Sequence, residues 1–249
     1  MKISVQLYTV RDQMAQDPAG TLQAIGKMGY HYVELAGTAG KSAKEFRKLL
    51  NDAGLKASGM HVGYEACEKD MQQILDDAAT LGCKHVIVPG LPGSAIAKGW
   101  DWVGMKLQEF GEKAAKERHV FGYHNHAHEF ETKVDGKPAL DVLYSAACPD
   151  YVKCQMDLWW VYVGHADPVK VLDQYGKRVR CVHLKDGKGR GNAPQAEAGN
   201  GVMDWDPILK ACDRCDVEFG AVELDTCPRP PLESIKIGLD FFRAKGYKG

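Results

Sequence analysis

The chain has no apolar run approaching the roughly 20 residues that a membrane-spanning helix needs. Its first segment, MKISVQLYTVRD, reaches charged residues too soon for the apolar core of a signal peptide. An excess of one charge is also lacking, because the formal net charge is -1 and Lys and Arg are spread along the chain. Nucleic acids and anionic membranes are bound through basic patches, so neither is expected as a partner. A cytoplasmic location is expected unless a leader has been removed.

Nucleotide-binding motifs are missing as well. No G-x-G-x-x-G turn follows the first strand-like segment, and no G-x-x-x-x-G-K-[ST] loop occurs. The 8 cysteines form no regular framework, which predicts small buried side chains in a reducing compartment. Cys212 and Cys215 have the spacing of a redox or zinc pair, but no second pair completes a tetrahedral site.

What the sequence does contain is a regular alternation of strand-like and helix-like segments. A length of 249 residues is typical of one complete barrel or one doubly wound domain. Amphipathic segments such as PAGTLQAIGKMG and SAKEFRKLLNDAG separate short β-rich runs. The runs are ISVQLY, YVELAG, KASGMHV, HVIVPG, VFGYHNH, VKCQMDL, RCVHLKD and FGAVELD.

Eight such units favour a closed barrel over an open sheet, because closure leaves no unpaired strand edge. The sequence therefore predicts an α/β protein with a single (β/α)8 TIM-barrel domain over residues 1–249. In this fold the carboxyl ends of the strands converge on one catalytic mouth.

Each of the last four predicted strands ends in histidine or a carboxylate. The residues are His124 and His126 with Glu129 beyond them, then Asp157, then His183, then Glu223 and Asp225. Any one of them has an ordinary alternative explanation: a lone histidine can be a hydrogen-bonded structural residue, and Asp157 can cap the next helix. Taken as a set, they predict a site for one divalent metal, Mn²⁺, Co²⁺, Zn²⁺ or Mg²⁺.

Six segments also carry a resemblance to a known family: YVEL, GYHNHAHEFE, KCQMDLWW, HLKD, GNGVMDW and VELD. In this order they resemble the xylose isomerase-like superfamily of sugar phosphate isomerases and epimerases, which includes inosose dehydratases, ketose 3-epimerases and nucleases of the endonuclease-IV type. The resemblance implies that Asp157, His183 and Glu223 are metal ligands. Many relatives have glutamate at the end of the fifth strand, so either His124 replaces it or Glu129 folds back to supply the fourth ligand.

Substrate contacts are expected around the metal from Gln6, Tyr8, Glu34, His61 and Lys185. Tryptophan faces pack well on sugar C–H edges, although core packing is an equal alternative. The tryptophans expected as walls are Trp159, Trp160 and Trp205. For Lys185 the alternative is an ion pair with Asp186 or Asp204.

The resulting hypothesis is a metal-dependent isomerase or epimerase that acts through an enediolate on a keto-sugar or polyol-derived ketone. The residues expected to take part in catalysis are His124, His126, Glu129, Lys185 and Glu223. An alternative is a dehydratase or lyase that eliminates water from an inosose or a 3-keto-sugar, which the histidine-rich fifth strand favours.

Two other classes of protein fit the sequence less well. A repair nuclease of the endonuclease-IV type needs a basic, duplex-gripping rim that the composition does not provide. A sugar-binding barrel without catalysis is disfavoured by the complete ligand set. The expected partner is a small sugar, and a homo-oligomer is compatible with the sequence. The Gly-rich segment from Asp186 to Gly201 is expected as a loop at the catalytic mouth, where it would close over the substrate.

Overall fold

The computed structural model describes residues 1–249, and its centre is a closed barrel of parallel strands. We number the barrel strands in chain order. They are β1 (Lys2–Gln6), β2 (Tyr32–Leu35), β3 (Lys56–His61), β4 (His85–Val88), β5 (Val120–His124), β6 (Lys153–Asp157), β7 (Val179–Leu184) and β8 (Phe219–Val222). Every strand pairs with its neighbours in sequence, and β1 closes the barrel on β8 through Lys2 opposite Phe219. The predicted TIM barrel and its eight strands are confirmed.

Helices surround the barrel and connect successive strands. The α-helices are Arg11–Gln16, Pro18–Met28, Ala43–Asp52, Tyr64–Leu81, Gly93–Ile96, Trp100–Lys116, His128–Glu131, Ala139–Ala146, Leu158–Val163, Pro168–Tyr175, Trp205–Arg214 and Pro231–Ala244. Short 3₁₀ helices cover Leu7–Val10 and Gly176–Arg178. None of these helices is both long enough and apolar enough to cross a lipid bilayer.

Local sequence signals set where several helices begin and end. Helix Pro18–Met28 has proline in its first turn and ends at Gly29, whose φ of 103° lies in the left-handed region that glycine adopts without strain. Helix Ala43–Asp52 begins with a capping box, in which Ser42 and Glu45 each bond the other's backbone N–H. These signals set the end of helix Pro18–Met28 just before β2 and the start of helix Ala43–Asp52 after it.

The connection after β7 is the longest between a barrel strand and its following helix. Its base is a short antiparallel ladder in which Asp186–Gly187 pairs with Gln195–Ala196. The Asp186 carboxylate accepts backbone N–H groups from Gly199 and Met203 and the indole N–H of Trp205. One buried aspartate therefore anchors both sides of this loop at the mouth of the barrel.

The cysteines have a packing role in this fold. All 8 are free, and 6 of them are buried. Cys215 Sγ contacts the carbonyl oxygen of Leu172 at 3.2 Å, and Cys212 is fully buried in helix Trp205–Arg214. The prediction of buried, unpaired cysteines is confirmed for these residues.

Candidate metal centre and active site

Donor atoms from three neighbouring strands meet at the carboxyl end of the barrel. Asp157 ends β6, His183 lies near the end of β7, and Glu223 directly follows β8. Each offers a buried atom within 4.8 Å of the other two. His183 Nδ1 lies 2.5 Å from Glu223 Oε2 and 3.9 Å from Asp157 Oδ2. Two carboxylate oxygens and one imidazole nitrogen form a set that can hold a divalent metal.

The two carboxylate oxygens of Asp157 have different surroundings. Oδ1 accepts the backbone N–H of Trp160 at 3.0 Å and caps helix Leu158–Val163. Oδ2 is buried and accepts no hydrogen bond, although Lys185 Nζ lies 3.2 Å away. Burial raises the pKa of Asp157 to about 6 against the opposing effect of Lys185. Capping and metal binding are therefore compatible roles, since capping uses Oδ1 and leaves Oδ2 toward the cluster.

Lys185 is the buried cation of this site. Its ammonium lies 3.0 Å from Glu223 Oε2 and 3.0 Å from each oxygen of Asp225. Burial lowers the pKa of Lys185, but the surrounding carboxylates more than offset this and raise the pKa above its usual value. The alternative considered for Lys185, an ion pair with Asp186 or Asp204, is not found, because the ammonium pairs with Asp157, Glu223 and Asp225.

His183 lies between two carboxylates, one on each side of its ring. Nδ1 contacts Glu223 Oε2, and Nε2 contacts Glu34 Oε2, both at 2.5 Å. Burial lowers the pKa of His183, but Glu223 and Glu34 outweigh burial and raise it to about 10. Burial raises the pKa of Glu223, whereas Lys185 and His183 bring it well below its usual value. The carboxylates on either side of the His183 ring therefore favour a positive charge there, either a protonated imidazole or a metal ion.

The fifth strand brings His124 to the cluster and leaves Glu129 outside it. His124 Nε2 lies 3.7 Å from Asp157 Oδ2. Both oxygens of Glu129 are used elsewhere, since Oε1 accepts the Tyr123 hydroxyl at 2.5 Å and Oε2 accepts the backbone N–H of His126 at 2.8 Å. Of the two alternatives for the fifth-strand ligand, the geometry favours His124.

A second layer of polar side chains lies beside the cluster, deeper in the barrel. Glu34 accepts a hydrogen bond from Gln6 Nε2 at 2.7 Å and another from Gln155 Nε2. His61 Nε2 lies 2.6 Å from Gln155 Oε1. Burial raises the pKa of Glu34, but the His183 and His61 charges and these hydrogen bonds lower it to about 2. Glu34 is thus a buried carboxylate held as an acceptor.

A cavity of about 420 Å³ opens next to the cluster and is large enough for a monosaccharide-sized molecule. Predicted site residues that line it are Tyr8, His61, His124, His126, Lys185 and Glu223, together with Asp225. The His126 side chain forms no hydrogen bond within the protein and packs beside His124 and Trp160. Burial lowers the pKa of His126 to about 4, which favours the neutral imidazole.

Five predicted substrate contacts do not line this cavity. One of them, Trp160, packs beside His126 and the Lys185 ammonium. Gln6 and Glu34 are in the buried layer beside the cluster. Trp159 is buried and stacks on Tyr162, with ring centroids 5.4 Å apart. Trp205 is buried and bonds the loop through its indole N–H. The structure gives these side chains supporting positions, and core packing explains Trp159 and Trp205.

Sequence reasoning overlooked Gln155, which bonds His61, His124 and Glu34. A signal was available, because alternate residues of a strand share a face and Gln155 stands two positions before Asp157 in β6. Asn125 was also overlooked. Its side-chain oxygen accepts the backbone N–H of Asp157 at 3.0 Å and ties β5 to the ligand strand.

The protein is a TIM barrel with a buried cluster of histidine and carboxylate groups at the carboxyl ends of its strands. The chain belongs to the xylose isomerase-like TIM barrel family, whose model matches residues 22–245. The family resemblance inferred from the six motifs is therefore confirmed.

Individual relatives support this assignment. The chain is 24% identical over 267 aligned positions to an inosose dehydratase of Clostridium botulinum, covering 90% of this chain and 89% of the relative. It is similar to a crystal structure of a sugar phosphate isomerase/epimerase from Parabacteroides distasonis, with a TM-score of 0.84, 26% identity and 97% of both chains covered. A probable 3-DHS dehydratase from Bacillus anthracis shares the fold, with a TM-score of 0.76, 15% identity, and 98% of this chain and 99% of that chain covered.

Proposed function

We propose that this protein is a metal-dependent dehydratase that eliminates water from a small, uncharged keto-sugar of the inosose class. The observation that carries the proposal is the composition of the cavity wall. The fifth strand contributes the imidazoles His124 and His126 to it, and Glu129 is turned away. The similarity to inosose dehydratases over most of the chain supports the same reaction class.

The residues present fit a divalent metal. Asp157 Oδ2 is a buried carboxylate oxygen with no hydrogen bond, and His124 Nε2 and His183 Nδ1 lie 3.7 and 3.9 Å from it. Glu223 Oε2 completes the set beside His183. A bound divalent ion supplies Lewis-acid polarisation of a carbonyl and its neighbouring oxygen. Mixed nitrogen and oxygen donors suit Mn²⁺, Co²⁺ or Zn²⁺ better than Mg²⁺.

In the proposed reaction, His126 acts as the acid–base group. Its unbonded imidazole removes the proton from the carbon next to the ketone and then delivers this proton to the β-hydroxyl group. The electron pair of the broken C–H bond forms the C=C bond, and the pair of the β C–O bond leaves with the protonated hydroxyl as water. Lys185, fixed among carboxylates at the cavity wall, orients the substrate by donating a hydrogen bond to one of its oxygens.

Epimerisation is the second candidate, because the chain is 26% identical to a protein described as a sugar phosphate isomerase/epimerase. Inversion at one carbon requires groups that exchange protons on opposite faces of the substrate. Here the carboxylates at the cavity, Glu223 and Asp225, both bond Lys185, and Glu129 is outside. A single free imidazole is better suited to elimination, in which one group both takes up and returns the proton.

The charge of the cavity argues for a substrate without phosphate. Lys185 is the one Lys or Arg side chain that lines it, and the ammonium is already neutralised by carboxylates. The loop cations point elsewhere: Lys188 bonds the Asn200 carbonyl oxygen, and Arg190 bonds that of Tyr162 at 2.9 Å. A phosphate dianion would lack a counter-charge at this site.

The test is to load the metal-free protein with Mn²⁺, Co²⁺ or Zn²⁺ and incubate it in D₂O with inososes, 3-keto-sugars and ketoses, with and without phosphate. Loss of one water from an uncharged ketone, followed by NMR and mass spectrometry, is the expected result. Deuterium uptake into a ketone that keeps all its oxygens would overturn the dehydratase in favour of an epimerase. A preference for phosphorylated ketoses would overturn the charge argument.

A further inference from the structure

Glu34 and Gln155 make a connected pair of buried side chains under the two histidines of the proposed metal site. Glu34 Oε2 contacts His183 Nε2 at 2.5 Å, and Glu34 Oε1 accepts the amide N–H of Gln155. Gln155 Oε1 in turn lies 3.1 Å from His124 Nδ1. All four side chains are buried, so water does not compete for these bonds.

The direction of each bond follows from the chemistry of the groups. An ionised carboxylate only accepts hydrogen bonds, so the NH₂ side of the Gln155 amide must face Glu34. The amide oxygen must then face the histidines, and it can only accept. His124 Nδ1 therefore carries its proton toward Gln155, and His183 Nε2 carries its proton toward Glu34.

The opposite ring nitrogens face the carboxylates of the cluster, and His183 Nδ1 contacts Glu223 Oε2 at 2.5 Å, where a bound metal would replace its proton. His124 Nε2 lies 3.7 Å from Asp157 Oδ2, and His183 Nδ1 lies 3.9 Å from the same oxygen. A neutral imidazole has one lone pair for a metal, and the partner of its other nitrogen decides which nitrogen carries it.

We propose that Glu34 and Gln155 form one support that fixes the tautomers of both histidine ligands, His183 directly and His124 through the amide. Both are positioning residues, and the inference rests on the proposed metal site. Glu34, expected from the sequence as a substrate contact, thus acts on the metal instead. Because the fifth strand supplies a histidine to the cluster, a tautomer-setting partner is needed here that a carboxylate ligand would not require.

The first test uses the unmodified protein and no substrate. In metal-free protein labelled with ¹⁵N-histidine, long-range ¹H–¹⁵N correlations should show His124 protonated at Nδ1. With Zn²⁺ bound, His183 should be protonated at Nε2. The signals are assigned with His124→Asn and His183→Asn. Protonation of His124 at Nε2 in the metal-free protein would overturn the proposal without reference to any variant's folding.

The second test separates the direct bond from Glu34 to His183 from the indirect connection to His124 through Gln155. In Gln155→Met, which keeps the side-chain length and removes the amide, His124 should lose its single tautomer while His183 keeps its own. In Glu34→Gln, both should change. The Kd for Zn²⁺, measured by chelator competition, should rise about 10–100-fold in each, the range typical of outer-sphere ligand partners.

Gln6→Met is the matched control. Gln6 also donates to Glu34, at 2.7 Å, and its amide lies 3.4 Å from His61 Nδ1, but it forms no hydrogen bond with His124 or His183. Both tautomers should stay fixed in this variant and the Zn²⁺ Kd should change less than about threefold, well below the outer-sphere range. Equal effects in Gln6→Met and Gln155→Met would show general loosening and overturn the proposal. These readouts need no substrate, so failure of the dehydratase assay leaves them intact, whereas absence of Zn²⁺ binding removes the metal site itself.

Discussion

Buried polar atoms have different surroundings at the carboxyl ends of the barrel strands and nearer their amino ends. At the carboxyl ends of the strands, Glu34 bonds both Gln155 and His183, and Asp157 Oδ2 has no hydrogen bond although other metal-ligand groups surround it. Nearer the amino ends, Ser4 Oγ and His85 Nε2 also lack hydrogen bonds. No cluster of donors surrounds either of them. An unpaired buried atom therefore indicates a ligand only where several donors face it, and elsewhere it is a tolerated cost of packing.

The largest effect should come from removing the negative charge of Asp157, whose Oδ2 accepts no hydrogen bond. Asp157→Asn keeps a side-chain oxygen that can cap helix Leu158–Val163 but removes the anionic donor. We expect the Kd for Mn²⁺ or Zn²⁺ to rise by about 100-fold or more, beyond the range of outer-sphere changes, with little loss of thermal stability.

Asp167→Asn is the control for this change, because Asp167 caps helix Pro168–Tyr175 at an exposed site. Isothermal titration calorimetry and thermal unfolding measure both quantities. Unaltered metal affinity in Asp157→Asn would show that the metal binds elsewhere. Asp157 Oδ2 would then be no different from the unbonded polar atoms near the amino ends of the strands.

A second effect concerns the free imidazole in the cavity. His126→Gln should lower kcat by about 10²–10⁴-fold, the range typical of general acid–base groups, and leave metal affinity unchanged. His128→Gln is the neighbouring control, since His128 is exposed, stacks near His126 and does not line the cavity. Steady-state kinetics measures kcat for the two variants, and metal titration measures their metal affinity. Equal kcat values for the two variants would show that His126 is not the acid–base group.

At the amino ends of the strands, His85 should give the protein a pH-dependent stability. Burial lowers the pKa of His85 to about 4, with Lys84 and Arg180 adding to the effect and the Ser58 carbonyl oxygen and Glu34 opposing it. Glu218 Oε2 lies 3.3 Å from Nε2, but Arg180 already binds this carboxylate, so burial dominates.

The sign follows from proton linkage. Between the usual histidine pKa, about 6.5, and about 4, the unfolded chain binds a proton that the folded chain does not, so stability is full above this window and falls as the pH drops through it. The loss should be about 3 kcal/mol at its limit. Comparing urea unfolding of wild type and His85→Asn at pH 7 and pH 4 isolates this contribution, and parallel pH profiles would contradict it.

The smallest effect should come from Ser4→Ala. Ser4 is fully buried, lies two positions before Gln6 on β1, and its hydroxyl has no partner. Deleting an unsatisfied hydroxyl should change the free energy of unfolding by less than about 1 kcal/mol, in either direction, and leave metal binding unaltered. If urea unfolding showed a loss of several kcal/mol, the Ser4 hydroxyl would contribute to stability, and the difference between the two ends of the strands would not hold.

The confirmed parts of the sequence-based prediction share one physical basis. The strand runs, the helix-ending Gly29 and the capping box of Ser42 and Glu45 are local signals, and the barrel follows from repeating them. The metal-ligand candidates Asp157, His183 and Glu223 could also be found, because convergence of strand ends is a property of the fold class.

Local signals could not identify the partners of these side chains. Glu129 and His124 are equally plausible ligands in sequence, and only the bonds from Tyr123 and the His126 backbone show that Glu129 is already satisfied. Lys185 likewise has acidic neighbours in sequence, yet its ammonium bonds Asp225, which follows the adjacent strand β8.

The sequence by itself therefore determined the barrel, the end of it at which histidine and carboxylate groups cluster, and the three strands that supply Asp157, His183 and Glu223. The tertiary structure decided which nitrogen of each histidine faces the cluster and which carboxylates are left free. The reason is that both depend on hydrogen bonds between strands far apart in the chain, such as that from Gln155 to Glu34, whose partners no local pattern specifies.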